Sequence, residues 1–246
     1  MKTTTLLLFF FLLTTTFARA EDAREWSASL GAGFVFKKNL RKGNTYENMD
    51  KKWLVKPIPI VQASYGRVSL GPQGLSFMAV GSKMANVTAF IKRDGDRYHG
   101  TGMIPRKDSA FAGISAKFFS YGLNISHDIH GRSKGTVVQF NYGKMFLISE
   151  RFFLLTNFGL DWFDDKYAEY YYNVRSHEAT ATRREYHLNN YLQPSVRILP
   201  VYKLTEKSSL MGALNTKLVN KDVRNSPTMN ADKLEFGGLF GYNYNF

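Results

Sequence analysis

The 246-residue sequence contains no cysteine. This absence excludes disulfide bonds, metal sites built on thiolates and dithiol redox motifs. Beyond residue 21 the sequence also lacks an uninterrupted apolar run of about 18 residues, the length that indicates a membrane-spanning helix. If this chain spans a membrane, it therefore does so with strands, because helices and closed barrels are the structures that can cross lipid.

Motifs for several kinds of chemistry are missing as well. The sequence has no Gly-rich phosphate loop, no paired-carboxylate motif and no nucleic-acid-binding module, so neither a cofactor nor an enzymatic activity is predicted. Acidic residues are scarce, with 20 against 33 lysines and arginines. In an exported protein, such a charge favours a membrane surface, lipopolysaccharide or a cell-wall polymer as the anionic partner, rather than nucleic acid.

Residues 1–20 have the composition of a secretory signal peptide. A lysine at position 2 precedes the apolar run Leu6–Leu13, and Ala18–Ala20 form an A-x-A cleavage site. The apolar run is shorter than the roughly 20 residues of a spanning helix. We therefore expect cleavage at this site and one exported domain over residues 21–246. Loss of one lysine and one arginine would lower the net charge from +13 to +11.

Segments in which apolar and polar residues alternate recur along the rest of the chain. This period of two is the pattern of strands with one apolar and one polar face. Twelve strands are predicted: Trp26–Phe36, Pro57–Gly66, Arg67–Gly71, Leu75–Val80, Asn86–Lys92, Ala110–Phe119, Leu123–Ile129, Thr136–Leu147, Phe152–Phe163, Leu188–Tyr202, Ser209–Val219 and Leu234–Phe246.

The connections between these strands alternate between short and long, with one short exception at Gly71–Gly74. Such alternation is typical of an outer-membrane barrel, which has short periplasmic turns and longer outer loops. An even strand count leaves both chain ends on the periplasmic side. If Arg67–Val80 formed one strand, the count would be 11 and the later long loops would lie in the periplasm, so two strands are predicted there. The long connections are Lys37–Lys56, Asp94–Ser109, Ile129–Gly135, Asp164–His187 and Asn220–Asp232.

The faces opposite the apolar ones carry many polar side chains. A soluble sandwich would bury one of its two faces at a high cost for each unpaired polar group, whereas a wet barrel interior tolerates them. We therefore predict an all-β fold, a transmembrane antiparallel up-and-down β-barrel of about 12 strands in the bacterial outer membrane. The residues predicted to line its lumen are Asp128, Gln139, Asn141, Asp161, Gln193, Arg197, Lys217 and Asn243.

Two of the long connections have unusual compositions. Lys37–Lys56 is strongly cationic, which fits either contact with lipopolysaccharide phosphates or a generic solvated loop. Asp164–His187 combines charges with tyrosines, which fits either a partner-binding surface or a loop that folds over the barrel mouth as a lid or plug. The residues predicted to contact lipopolysaccharide are Lys37, Lys38, Arg41, Lys42, Lys51 and Lys52.

His127 is the strongest candidate for a catalytic side chain. It shares an apolar face with Leu123 and Ile125, where a barrel enzyme could meet lipid. A serine-type site needs a hydroxyl within hydrogen-bond reach of the imidazole, but Ser126 lies on the opposite face of the strand. We therefore interpret His127 as an interfacial residue without a catalytic role.

Five segments together resemble the MltA-interacting protein/OmpV family of outer-membrane barrels. They are "WSASLGAGFVF", "KPIPIVQASYGRVSLGPQGLSF", "LNISHDIHGRSKGTVVQFNYGKMF", "DWFDDKYAEYYYNVRSHEA" and the terminal "FGYNYNF". Phe246 resembles the carboxy-terminal signature by which such barrels are recognised for insertion. The resemblance implies a porin-sized barrel and, for the name-giving member, a scaffold that joins a murein hydrolase to a murein synthase.

Three functions follow as hypotheses. The first is a non-enzymatic scaffold in envelope and murein maintenance, with outer-membrane lipid, lipopolysaccharide and periplasmic murein enzymes as partners. The alternatives are a passive pore for small solutes and, with less support, a lipid-modifying barrel enzyme.

Overall fold

The computed structural model describes residues 26–45, 51–72, 74–82 and 84–246; the predicted signal peptide lies outside them. In this part of the chain, twelve strands form a closed antiparallel barrel, in which sequence neighbours pair and β12 pairs with β1. This confirms the predicted fold class. The strands are β1 (Trp26–Lys38), β2 (Trp53–Tyr65), β3 (Val68–Gly71), β4 (Gly74–Gly81), β5 (Ala85–Asp94), β6 (Ser109–Phe118), β7 (Tyr121–Asp128), β8 (Thr136–Leu147), β9 (Phe152–Phe163), β10 (Tyr191–Lys203), β11 (Ser208–Leu218) and β12 (Leu234–Asn245).

Successive side chains of each strand point to opposite faces of the barrel wall, and the apolar ones point outward. Phe34 of β1, Ile114 of β6 and Phe240 of β12 keep 57%, 60% and 58% of their surface exposed. A soluble protein rarely exposes a continuous apolar belt of this kind, whereas a membrane barrel requires one. The outer surface of the barrel is therefore apolar, and the polar side chains lie inside.

A pair of adjacent residues on β6 tests this assignment of faces. Ile114→Lys places a charge on the outer face, and we expect it to lower the free energy of unfolding by about 2–4 kcal/mol in a bilayer. Ser115→Lys is the matched control, because Ser115 faces the interior cavity, and we expect a change within about 1 kcal/mol. Urea titration of the barrel folded into liposomes measures both, and equal losses would contradict the assignment.

The first two strands are longer than predicted. Lys37 pairs with Leu54 and Lys38 with Trp53 in the β1–β2 ladder. The predicted loop Lys37–Lys56 is thus wrong at both ends, and the connection runs over residues 39–52. The ladder continues because Trp53 and Leu54 extend the strand alternation, which the lysines around them obscured in the sequence.

The region Arg67–Val80 forms two strands, β3 and β4, which confirms the predicted count of twelve. β3 has only four residues, and it pairs with β2 only at Ala63–Tyr65. The β3–β4 hairpin is consequently much shorter than its neighbours in the barrel wall.

One side of the barrel interior is filled by apolar packing. Ile60 of β2 is 2% exposed and lies over the glycines of the adjoining strands. A Cβ atom at Gly241 would lie 2.7 Å from Ile60 Cδ1, and one at Gly33 would lie 3.3 Å away. The absence of side chains at these glycines leaves room for Ile60, and the polar space is lined mostly by residues of β5 to β11.

The outer connections contain the helical structure. α1 (Asp165–Tyr172) and a 3₁₀ turn (Ser176–Glu178) lie between β9 and β10, and α2 (Lys221–Asn225) lies between β11 and β12. No helix in the described ranges is both long and apolar enough to cross a bilayer.

Candidate functional site

The long connections pack together into one body, which we call the cap. It comprises the described residues of 39–52 together with 95–108, 129–135, 164–190 and 219–233. Its buried core joins residues from several connections and from the ends of strands: Leu40, Phe111, Val137, Phe163, Tyr167, Ala168, Tyr171, Tyr172, Leu188, Tyr191, Val219, Val223 and Met229. A core shared by so many segments makes the cap a folded unit across the outer mouth of the barrel.

Helix α1 is the centre of the cap. Its first turn is fixed by Asp164, whose side chain accepts a hydrogen bond from the Tyr167 backbone N–H at 2.8 Å. The Tyr167 ring packs at a tilt against Phe163, with ring centroids 4.7 Å apart. The helix also approaches the connection 129–135 so closely that a Cβ at Gly135 would lie 2.7 Å from Tyr167 Cβ. The tyrosine-rich segment thus folds over the barrel mouth, as expected for a lid or plug.

A buried ion pair joins two connections of the cap. Arg106 and Glu178 lie 2.7 Å apart, and each side chain is only 1% exposed. Arg106 also donates to the Ile104 carbonyl at 2.6 Å, and Glu178 accepts from the Ile104 backbone N–H at 2.9 Å. Arg106 Nε is buried without a hydrogen-bond partner among the described residues, but the remaining contacts hold these segments in one arrangement, because removing either partner leaves an uncompensated charge.

Arg41 forms a second link within the cap. Its guanidinium lies 2.9 Å from Asp96, donates to the Tyr171 carbonyl at 3.0 Å and sits over the rings of Tyr98 and Tyr172. Burial raises the pKa of Asp96, but the adjacent cations, Arg41 foremost, more than offset this and hold it below its ordinary value. Arg41 is 5% exposed, so its contacts link segments of the cap in the interior of the cap rather than at its surface.

Beneath the cap lies a polar cavity of about 850 Å³. Tyr167, Tyr172 and Asp96 line its outer end, and Ser120 and Tyr121, at the turn between β6 and β7, line the other. The cavity therefore extends from the cap to the short-turn end of the barrel, which is the periplasmic end in outer-membrane barrels.

Six of the eight residues predicted to line the lumen border this cavity: Gln139, Asn141, Asp161, Gln193, Arg197 and Lys217. The other two face inward but do not border it. Asp128 accepts hydrogen bonds from Ser109 Oγ at 2.5 Å and from the Ser133 backbone N–H at 2.6 Å, and so fixes the turn 129–135. Asn243 is 5% exposed and donates to the Asn245 side chain at 3.1 Å.

A smaller cavity of about 180 Å³ lies within the cap. It shares lining residues with the large cavity, among them Lys37, Asp96 and Glu235, so these side chains form the boundary between the two. Lys37 lies 3.1 Å from Glu235 and 4.0 Å from Asp96. Sequence reasoning missed this boundary, because its members are scattered along the chain and carry no shared motif.

The six cations predicted to contact lipopolysaccharide separate into two groups. Lys42, Lys51 and Lys52 are exposed on the outer connection 39–52. The remaining three make internal contacts. Lys37 faces the cavity, Lys38 lies 3.0 Å from Asp232, and Arg41 is buried in the cap, so for Arg41 a membrane-surface contact is wrong. Its partners Asp96 and Thr228 come from distant connections, which the local composition could not reveal.

His127 has a hydroxyl partner that the sequence did not indicate. Its Nδ1 lies 3.0 Å from Thr136 Oγ1 on the neighbouring strand β8. A nucleophile and base of this type also need a third group to orient the imidazole. No carboxylate contacts His127 among the hydrogen bonds and ion pairs of the described residues, and these residues contain no cluster of metal ligands.

The carboxyl groups of the cap predict a pH dependence. Burial raises the pKa of Glu178, but hydrogen bonds from the Arg106 guanidinium and from two backbone N–H groups more than offset this and leave it below its ordinary value. A lowered pKa contributes stability that is present above the unfolded value of about 4.3 and is lost as the pH falls through the folded value. We expect amides of residues 164–190 to exchange faster at pH 3 than at pH 6, after correction for intrinsic rates. Glu178→Gln should reduce this pH dependence, and an unchanged profile in that variant would contradict the assignment.

The chain matches the family model described as MltA-interacting protein MipA over residues 30–246. No curated protein sequence matches it significantly. Similar solved structures include OmpT of Vibrio cholerae, with 8% identity, 90% of this chain and 97% of that chain covered, and a TM-score of 0.37. OprG from Pseudomonas aeruginosa has 9% identity, coverage of 91% and 97%, and a TM-score of 0.27.

The family match spans all twelve strands apart from the first residues of β1. It agrees with the closed barrel, its apolar belt and the short turns at one end. The chain therefore belongs to the MltA-interacting protein MipA family, and it is a β-barrel of the bacterial outer membrane.

Proposed function

We propose that this barrel is a non-enzymatic scaffold that holds periplasmic enzymes of murein maintenance at the outer membrane. The observation that carries the proposal is the cap, whose buried core and ion pair fill the outer mouth. A barrel with a filled outer mouth is poorly suited to passing solutes, while its short-turn end stays accessible from the periplasm. The name of the family, which refers to interaction with MltA, supports the same role.

The short turns offer a cationic surface for such partners. Arg151, Lys203 and Lys207 lie at this end of the barrel and are exposed. Exposed charges of this kind contribute to encounter and register more than to raw affinity. They are therefore the residues at which a docking partner should be most sensitive to charge reversal.

Binding to purified enzymes tests the scaffold. The full barrel in detergent is immobilised and exposed to a purified murein lytic transglycosylase and a purified murein synthase, and we expect both to be retained. Reversing three charges with Arg151→Glu, Lys203→Glu and Lys207→Glu should weaken retention about tenfold or more. The matched control reverses three charges at the opposite end, with Lys42→Glu, Lys51→Glu and Lys52→Glu, and should bind as the wild type does. Retention of neither enzyme would contradict the proposal.

We further propose that Lys42, Lys51 and Lys52 contact lipopolysaccharide phosphates. They are exposed and lie on an outer connection, where the membrane surface is anionic. The same triple charge reversal should reduce binding of the barrel to lipopolysaccharide vesicles, and unchanged binding would oppose this contact.

A passive pore is the second candidate. The polar cavity of about 850 Å³ favours it, because such a space could hold water and small solutes over most of the barrel length. The cap opposes it, and conductance measurements on a variant without α1 separate the two functions.

A further inference from the structure

The barrel wall has a discontinuity beside β2. Residues 53–65 of β2 pair with β1 along their whole length, but on the other side only Ala63–Tyr65 pair with β3. The described part of this ladder ends at Ala63, and the odd-numbered residues from 53 to 61 have no strand partner on that side among the described residues. We call this unpaired edge, together with the space between it and the outer end of β5, the seam.

The direction of the backbone groups at the seam follows from the ladder. The Asn39 backbone N–H donates to the Lys52 carbonyl, so the even-numbered residues of β2 bond to β1. Because backbone groups of successive residues point to opposite sides of a strand, the odd-numbered residues face the seam. Pro57 and Pro59 are both odd-numbered, and neither has a backbone N–H.

The prolines indicate that the seam is built into the sequence. Within sheets, proline is confined to edges, strand ends and bulges, and here two prolines stand on the unpaired edge. They remove two donors that another strand would need, so an added strand from a partner is disfavoured. The side chains of Val55, Pro57, Pro59 and Val61 point outward and are exposed, and together they form an apolar strip along the edge.

The odd-numbered carbonyls at the seam bond to no strand among the described residues. In the hydrocarbon region, an unsatisfied backbone group costs several kcal/mol, and unpaired backbone persists only where it meets protein or a water-filled cavity. No residue of β2 lines the large cavity, but the cavity borders the other side of the seam, where it is lined by Pro72 at the tip of the β3–β4 hairpin and by Arg93 and Asp94 at the end of β5. The polar cavity therefore approaches the bilayer at the β5 side of the seam.

We propose that the seam is a lateral opening through which the acyl chain of a membrane lipid enters the barrel wall and reaches the cavity. The apolar strip of β2 contacts the chain, and the polar cavity accepts water or the polar part of the same amphiphile. This inference is independent of the scaffold function, because it concerns the lipid-facing wall rather than the short-turn surface.

Fluorescence quenching by lipid bromine atoms tests the opening. The cysteine-free chain allows single labelling sites, and Lys92→Cys and Asn157→Cys both line the cavity, the first beside the seam and the second on β9. Each variant receives a thiol-reactive fluorophore and is folded into vesicles of phosphatidylcholine with brominated acyl chains. We expect several-fold stronger quenching in Lys92→Cys than in Asn157→Cys. Equal quenching, or none at either site, would overturn the proposal.

A sealed variant provides the second test. Inserting two strand-forming residues on each side of the hairpin tip, between Pro72 and Gly74, lengthens β3 and β4 along the unpaired edge. In this background the quenching of the Lys92→Cys label should fall to the level of Asn157→Cys. Unchanged quenching in a folded, heat-modifiable barrel would show that lipid reaches the label by another route and would overturn the proposal.

Discussion

Arg106→Met should reduce the free energy of local opening of the cap by about 3–5 kcal/mol. The substitution removes one partner of a buried ion pair and leaves the Glu178 carboxylate without a counter-charge at 1% exposure. Hydrogen exchange of the amides in residues 164–190 measures the effect, because local opening exposes this connection first. A fall of this size corresponds to exchange faster by roughly a hundredfold to a few thousandfold.

The double variant Arg106→Met, Glu178→Leu is the control for this experiment. Replacing both charges by apolar side chains of similar size removes the desolvation cost together with the attraction, and such replacements are often neutral or stabilising. We expect the double variant to exchange more slowly than Arg106→Met but faster than the wild type, because the Ile104 and Arg175 backbone N–H groups lose the Glu178 carboxylate as acceptor. If the single and double variants open equally easily, the ion pair does not hold the cap in place.

Removing α1 should turn a nearly silent barrel into a conducting one. The variant replaces residues 165–187 by a short Gly-Ser linker and so deletes Tyr167, Tyr171 and Tyr172 from the cap core. The polar cavity would then connect the periplasmic end with the outer face. In planar bilayers we expect steady single-channel conductance from the variant and only rare openings from the wild type.

The matched control substitutes Lys42, Lys51 and Lys52 by glutamine, which alters the outer surface without touching the helix. This control should be as silent as the wild type. Steady conductance of the wild-type barrel at the level of the deletion variant would instead support the passive pore and remove the observation on which the scaffold proposal rests.

The barrel could be predicted from the sequence because its determinants are local. A period of two marks each strand, and the turn and loop lengths mark the two ends of the barrel. The same reasoning failed at Lys37 and Lys38, where charged residues continue a strand. Charge is a weak indicator of strand ends at a rim where side chains meet both water and protein.

The interior of the cap could not be predicted, since its contacts join distant connections. Arg41 lies near several lysines in the sequence, and this composition predicts a solvated cation. In the structure its side chain instead binds Asp96, 55 positions away, and Thr228, 187 positions away. The seam, by contrast, had a local signal. Proline within a strand favours an edge or an irregular pairing, but Pro57 and Pro59 of β2 share this signal with Pro194 and Pro200 of β10, which is paired on both sides.

Accessibility of single cysteines tests the central claim that the cavity opens to the periplasm beneath a closed cap. The chain has no cysteine of its own, so Asn215→Cys in the cavity, Lys51→Cys on the outer connection and Leu214→Cys on the lipid face each report one environment. A maleimide joined by a flexible linker to a group too large for porins is applied to intact cells and to cells with a permeabilised outer membrane. We predict that Lys51→Cys reacts in both, Asn215→Cys only after permeabilisation and Leu214→Cys in neither. Rapid reaction of Asn215→Cys in intact cells would contradict the account.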